Sequence, residues 1–315
     1  MRDRLYILAK EIVNIIRKEH YFILWQNIKG IYCWGRIKFI IFINLEVIKM
    51  RRNKLREKLK EGVPTLGTRL LSVWPGMVEL VGHTGIFDYV ELLGEYSPWN
   101  LHDLENFARA VELFDMSSMI KVDQNNRAFI AQRALGSGIQ NILFTDIRTV
   151  EEAKECVRIV RAETPQTKGI NGAANRRNVG YYIEAGSAEY VEAMNEAVVV
   201  LMIEKKEAVD NLDEILSVEG IDMVQFGPGD YSLSIGYPGQ RSHPKVKEAE
   251  LKTIKTAIKK GIRPRVEIGS IDYKMEELQK YIELGVKDFN LPSEGKIVYE
   301  WLKKHGENIK RSLFN

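Results

Sequence analysis

Cysteine is nearly missing: 315 residues contain two, Cys33 and Cys156. That is neither a disulfide framework nor the paired spacing of a metal site, and a reducing cytoplasm is the simplest compartment. Long apolar runs are scarce as well. Phe39-Ile-Ile-Phe-Ile-Asn-Leu45 is far too short to span a bilayer, and Lys29, Arg36 and Lys38 interrupt its approach. The N-terminus also lacks the ordered basic, apolar and small-residue regions of a signal peptide. No large excess of one charge sign exists. The net +3 resolves into +5 on residues 1–49, with nine Lys/Arg against four Asp/Glu, and −2 on the remainder, with 37 against 39. The main body is therefore not a nucleic-acid binder, and nothing in it asks for a membrane. What is present, 28% charged and 45% hydrophobic residues, suits one large barrel or two medium domains.

Residues 1–49 differ from the rest. They are rich in Ile, Phe, Tyr and Trp, with no clear period and only Gly30 and Gly35 as hinges. By contrast, Met50-Arg-Arg-Asn-Lys-Leu-Arg-Glu-Lys-Leu-Lys begins as an ordinary amphipathic leader helix. The expected organisation is an atypical basic extension over 1–49, with Met50 as the working start, and one domain over 50–315. A basic surface anchor is the other use of the extension, although its apolar residues form no clean helical face.

From residue 67 onward, short apolar runs alternate with helical patterns. The runs are 67–73, 89–93, 118–122, 141–146, 198–204, 223–227, 263–268 and 288–291. Helical candidates between them include 101–114, 127–135, 149–161, 206–218 and 243–260, and Thr149-Val-Glu-Glu places a cap residue ahead of an acidic first turn. Repeated strand–helix alternation implies a parallel sheet with right-handed crossovers. Eight units in about 250 residues predict an α/β fold of the (β/α)8 barrel type, with its site at the C-terminal strand ends. An open doubly wound sheet is the runner-up, but no Gly-x-Gly-x-x-Gly turn follows the first strand. Residues 164–187 read as a loop-rich insertion.

Two runs end abruptly in one acid each: Val198-Val-Val-Leu-Met-Ile-Glu204 and Met223-Val-Gln-Phe-Gly-Pro-Gly-Asp230. A buried parallel strand ending in a carboxylate projects that group into the strand-end site, and two such acids can share a hard divalent cation. The bland reading is a pair of strand-end acids that cap helices or pair with Lys and Arg. Strand ends also offer Glu95, Tyr96, Lys121, Asp123 and Asp146, with Asp146 expected as a helix cap because Asp146-Ile-Arg-Thr149 leads into a helix.

These residues resemble the class II, metal-dependent 2-oxo-acid aldolases of the HpcH/HpaI family. The matching pieces are Phe87-Asp-Tyr, Gly94-Glu95 and Pro98; Ile203-Glu204, Glu207-Ala and Asn211-Leu-Asp-Glu-Ile-Leu; Val218-Glu-Gly-Ile-Asp222; and Phe226-Gly-Pro-Gly-Asp-Tyr-Ser232, Gly236-Tyr-Pro-Gly239 and His243-Pro244. The resemblance covers about residues 55–305. It implies a pyruvate-binding (β/α)8 barrel that assembles as a homo-oligomer, often with its last helix on a neighbouring subunit. It further implies that Glu204 and Asp230 hold Mg, Mn or Co, and that the backbone amides around Gly229 and Asp230 hold the carboxylate of a 2-oxo acid. The reaction would form or break a 4-hydroxy-2-oxo acid, with an aldehyde as the second small molecule.

Four positions depart from the family pattern. Tyr96 stands where the family has a proton-transferring histidine, Leu93 replaces that histidine's acidic partner, Lys121 replaces an arginine that polarises the keto oxygen, and Met202 replaces a glutamine near the metal. Lys121 still supplies charge, though without a planar fork, and Tyr96 is a poor general base at neutral pH. His83 is a candidate substitute, read more simply as a helix-end packing residue. Arg176-Arg177 falls where the family has a loop over the site. Arg177 is expected to bind a second carboxylate or a phosphate on the aldehyde partner, against the plain reading of a solvated loop charge. The other functional class is a degenerate barrel that binds metal and oxo acid as a sensor or structural subunit. Retention of both carboxylates favours the enzyme.

Overall fold

The computed structural model describes residues 51–181 and 185–314, so the expectations for residues 1–49 lie outside the described residues. Eight strands are β1 Thr65–Leu70, β2 Tyr89–Leu92, β3 Ser117–Val122, β4 Asn141–Phe144, β5 Val199–Ile203, β6 Met223–Phe226, β7 Arg263–Glu267 and β8 Asp288–Ser293. Each pairs in parallel with the next and β8 closes on β1, with registers such as Thr65↔Asp288 and Arg69↔Glu91. This is the expected (β/α)8 barrel, and ring closure rules out the open sheet. Helix α1 spans Lys54–Glu61, and the outer helices are α2 Pro75–His83, α3 Leu101–Glu112, α4 Arg127–Ser137, α5 Val150–Val160 and α6 Ala188–Asn195. The second half adds α7 Lys206–Asp210, α8 Leu212–Ile215, α9 Pro228–Ser234, α10 Pro244–Lys259, α11 Met275–Glu283 and α12 Glu294–Phe314. Among the described residues no helix is long and apolar enough to cross a membrane.

Strand side chains alternate between the helices and the barrel lumen. Val90, Leu92, Ile120, Phe144, Leu201 and Val224 face the helices and form the main core. The lumen has two halves. Met119, Leu143, Val198, Val200, Met202 and Met223 make its β3–β6 side apolar, joined by Tyr89 and by Leu55 of α1. Helix α1 thus closes the N-terminal end of the barrel. Its cap residue Asn53 donates to Asn141 Oδ1 (2.8 Å) and accepts from Ser117 Oγ (2.9 Å), and Arg56 forks onto Asp222 at 2.5 and 2.7 Å. Burying one leucine such as Leu55 contributes roughly 1.5–3 kcal/mol, and the polar clamp fixes where it goes.

The other side of the lumen carries charge. Arg263 pairs with Asp288 (2.7 Å), Arg265 with Glu91 (2.6 Å) and Arg69 with Glu267 (2.6 Å). Arg265 and Glu91 are wholly buried, and Arg265 also donates to Gln225 Oε1 at 2.7 Å. Such a pair persists only when further hydrogen bonds offset desolvation.

Two boundaries moved for identifiable reasons. Strand β1 stops at Leu70 because the Glu294 carboxylate accepts the amides of Leu71 (2.8 Å) and Ser72 (2.5 Å), diverting them from a ladder. The insertion at 164–187 bridges back to Ala162 through Asn171 and contains a 3-10 turn at Arg177–Val179, and α6 follows it. It connects a helix to a strand, so it starts at the end of the barrel opposite the site.

Candidate active site

Strand β3 ends by presenting Lys121 to the lumen, only 4% exposed. Its ammonium lies 2.6 Å from Glu95 Oε2 and donates to Tyr96 Oη at 2.7 Å, so the turn after β2 holds it from above. Burial works against the ammonium, but the Tyr96 oxygen and the Glu95 carboxylate outweigh it and raise its pKa. Lys121 is therefore a fixed positive charge. Burial pushes the Tyr96 phenol up to about 12 despite Lys121 beside it. A phenol held that high keeps its proton and serves as a donor, not as the base that the family's histidine would be.

Two strands further round the barrel, Glu204 follows the last residue of β5 and is 2% exposed. Its Oε1 accepts the Asp146 amide at 3.0 Å, while Oε2 is buried with no hydrogen-bond partner. Burial raises its pKa to about 7, with Asp230 and Asp146 adding to the rise against the Asp146 amide and Lys121. Gly227 is needed here because a Cβ would meet Glu204 Oε2 at 2.5 Å. Asp230, in the first turn of α9, is 45% exposed and lies 3.7 Å from the Lys205 ammonium. That ammonium pairs with Asp146 at 2.5 Å and so bridges the two aspartates.

Asp146 has a left-handed backbone (φ 58°), costly for a residue with a side chain. The turn aims its amide at Glu204 and its carboxylate at Lys205, so Asp146 is not the helix cap it was expected to be. Thr149 caps α5, in a reciprocal box with Glu152. Asp123 stands at the same end of the barrel, its pKa raised by burial, with Glu95 and Asp146 adding to the rise.

These residues fit a divalent cation. A buried carboxylate oxygen with no partner, beside a half-exposed second carboxylate, is the donor chemistry a hard cation takes. Among the described residues no three acids or histidines converge into a ready-made cage. Two protein carboxylates completed by water and substrate oxygens need none.

Arg177 is a correction. Its guanidinium donates to Glu112 Oε1 at 2.8 Å and to the Ser137 carbonyl at 3.1 Å, at the C-terminal ends of α3 and α4. It is neither over the strand-end site nor a solvated loop charge. His83 makes an edge contact with Phe114 (5.0 Å), the packing role expected of it, and His243 caps α10 and stacks on Tyr237 at 3.8 Å. Residue-by-residue reading missed Lys205, although it directly follows Glu204. It also missed Arg241, whose guanidinium lies about 3.4 Å from where a Gly229 Cβ would be. A surface groove of about 530 Å³ beside Lys154, Arg158 and Glu214 lies outside the barrel and touches none of these groups.

The HpcH/HpaI aldolase/citrate lyase family model matches residues 70–299. The 2-keto-3-deoxy-L-rhamnonate aldolase of Escherichia coli K12 is 32% identical over 209 residues, covering 65% of this chain and 76% of that protein. An HpcH/HpaI aldolase/citrate lyase family protein from Burkholderia cenocepacia J2315 superimposes with a TM-score of 0.73 at 21% identity, over 84% of this chain and 100% of that one. The HpcH/HpaI aldolase from Desulfitobacterium hafniense DCB-2 gives 0.72 at 24% identity, over 82% and 97%. At these identities the two structures speak for the fold alone.

Proposed function

Because the chain belongs to the HpcH/HpaI aldolase/citrate lyase family and is a class II, metal-dependent aldolase, we propose that its strand-end cluster forms and cleaves a 4-hydroxy-2-oxo acid through a pyruvate-type enolate. The observation that carries this is Glu204, with one buried oxygen unpartnered and its pKa lifted to about 7 among Asp146 and Asp230. Glu204 and Asp230 would hold a divalent cation (Mg, Mn or Co), which when bound supplies Lewis-acid polarisation of a 2-oxo group.

The chain's own residues do the rest. The first-turn amides of Gly229 and Asp230 have no acceptor within α9 and can take the substrate carboxylate. Arg241 adds a cation beside Gly229. Lys121, held by Glu95 and Tyr96, places a fixed charge for the oxyanion that grows as the C–C bond breaks. Tyr96 retains its proton near neutral pH and can deliver it to an oxygen of the substrate. Lys205 keeps the unshared charge of Asp146 and Asp230 from splaying the site apart.

The activity for which the Escherichia coli relative is named, on a keto-deoxy sugar acid, points to a substrate of that general kind. The amphipathic helix α12 buries none of its residues and exposes Val298, Trp301, Leu302, Ile309 and Leu313. A second copy of the chain is the occupant proposed for that face, making the working form a cytoplasmic homo-oligomer. Sedimentation of Trp301→Glu alongside the unaltered chain tests it, and identical oligomers would refute it. The functional test is pyruvate release from a panel of 4-hydroxy-2-oxo acids, together with deuterium exchange into the pyruvate methyl group, with and without Mg, Mn or Co. Metal-dependent release and exchange are expected. Binding of metal and pyruvate with neither reaction would overturn the aldolase reading.

A further inference from the structure

The three ion pairs in the lumen form a ladder that rises to the mouth. Arg263–Asp288 and the wholly buried Arg265–Glu91 make its lower rungs, and Arg69–Glu267 its top. Arg69 is the penultimate residue of β1 and Glu267 the last of β7, so both reach the C-terminal strand ends. Their side chains are 11% and 31% exposed, whereas Arg265 and Glu91 are sealed. The top pair is also immobilised. Arg69 Nε donates to the Leu291 carbonyl at 3.0 Å, and Glu267 Oε2 accepts from Gln225 Nε2 at 3.1 Å. Gln225 Oε1 in turn accepts from Arg265 at 2.7 Å, tying the top rung to the sealed one.

A lumen that only needed filling would take apolar side chains, as this one largely does from β3 to β6. Three ion pairs in the other half, one of them sealed from solvent, are a poor way to gain stability. They are a good way to fix a guanidinium and a carboxylate side by side at a mouth. In the closed ring of eight strands β1 stands opposite β5. Arg69 therefore stands across the mouth from Glu204, with Glu267 on β7 midway round the ring between them, where the part of a substrate that is not the 2-oxo acid head must lie.

Resting on the aldolase reading above, we propose that Arg69 and Glu267 form the subsite for the aldehyde partner and select an uncharged, hydroxylated aldehyde. Arg69 donates to a hydroxyl oxygen, and Glu267 accepts a hydroxyl proton. The pair is neutral overall, and Glu267 repels a second carboxylate. An alkyl aldehyde would take water from the pair and offer neither group a further hydrogen bond, which is where a polar site discriminates against it.

The test condenses pyruvate with glyceraldehyde, propanal or succinic semialdehyde, using the metal-loaded full chain. The unaltered protein is expected to favour glyceraldehyde over the other two in kcat/KM. Arg69→Leu should erode that preference by roughly tenfold or more, mainly through the KM for glyceraldehyde, with Arg69→Lys intermediate because it keeps the charge but loses the fork. Deuterium exchange into pyruvate, which involves no aldehyde, reads the Glu204 end separately and is expected to continue in both variants. An Arg69→Lys protein that folds and retains the full glyceraldehyde preference overturns the proposal, as does a parallel fall in exchange. Absence of exchange in the unaltered chain with every metal would instead sink the aldolase reading, and this subsite with it.

Discussion

Glu204→Gln is the most informative single change, because the stability of the metal-free protein should respond to it in a pH-dependent way. The carboxyl moves from an ordinary value of 4.5 to about 7 in the folded chain. At 1.36 kcal/mol per unit the difference amounts to about 3 kcal/mol. Its sign follows from which state holds the proton. Between about 4.5 and about 7 the folded chain keeps the Glu204 proton while the unfolded chain has released it. Stability from this group is therefore complete below about 4.5 and is lost as pH rises through about 7. Glutamine has the same shape, still accepts the Asp146 amide, and does not titrate.

The assay is denaturant unfolding of both chelator-treated proteins from pH 5 to pH 8. Other raised carboxyls, Asp123 and Asp288, titrate in both chains and cancel in the difference. The unaltered protein should lose about 2–3 kcal/mol relative to Glu204→Gln across that range, the remainder having gone below pH 5. Added Mn²⁺ at pH 8 should restore it only where the carboxylate is present, because a cation that binds the folded form stabilises it by mass action. Equal slopes in the two proteins would refute the burial argument. An equal gain from Mn²⁺ would remove Glu204 from the metal site.

Three further outcomes follow from the same geometry. Lys121→Met should lower turnover by about 10²–10³ while leaving Mn²⁺ affinity, read by titration, nearly unchanged; intact turnover would make Lys121 only a structural partner of Glu95. Arg265→Met strands the buried Glu91 carboxylate and should cost about 3–5 kcal/mol in denaturant unfolding, with most of it recovered in Glu91→Leu/Arg265→Met; no recovery would mean that the ladder does not act as pairs. A chain starting at Met50 should melt, assemble and react like the full chain, since α1 begins at Lys54 and already closes the barrel; loss of assembly or activity would assign residues 1–49 to the working protein.

The strands were legible because a barrel wall shows its period in one chain. Val199–Ile203 is buried on both faces and reads as an unbroken apolar run, and a single carboxylate after it marks the mouth. Boundaries slipped where a distant residue decided them, as when Glu294 captured the amides beyond β1. Asp146 departs from the cap position expected of it because a left-handed turn, invisible in the sequence, takes its carboxylate to Lys205. The place of Arg177, by contrast, follows from the connectivity of the fold. In a (β/α)8 barrel the chain leaves each strand at the mouth and leaves each helix at the opposite end. A loop that follows the 149–161 helical pattern cannot begin over the site, whatever charges it carries. The same parity applied to Arg263, Arg265 and Glu267, two residues apart on one strand, puts three charges on the face of β7 opposite Pro264 and Val266. Charge repeated at period two in this wall strand points to the lumen, and only its last member, Glu267, reaches the strand end at the mouth.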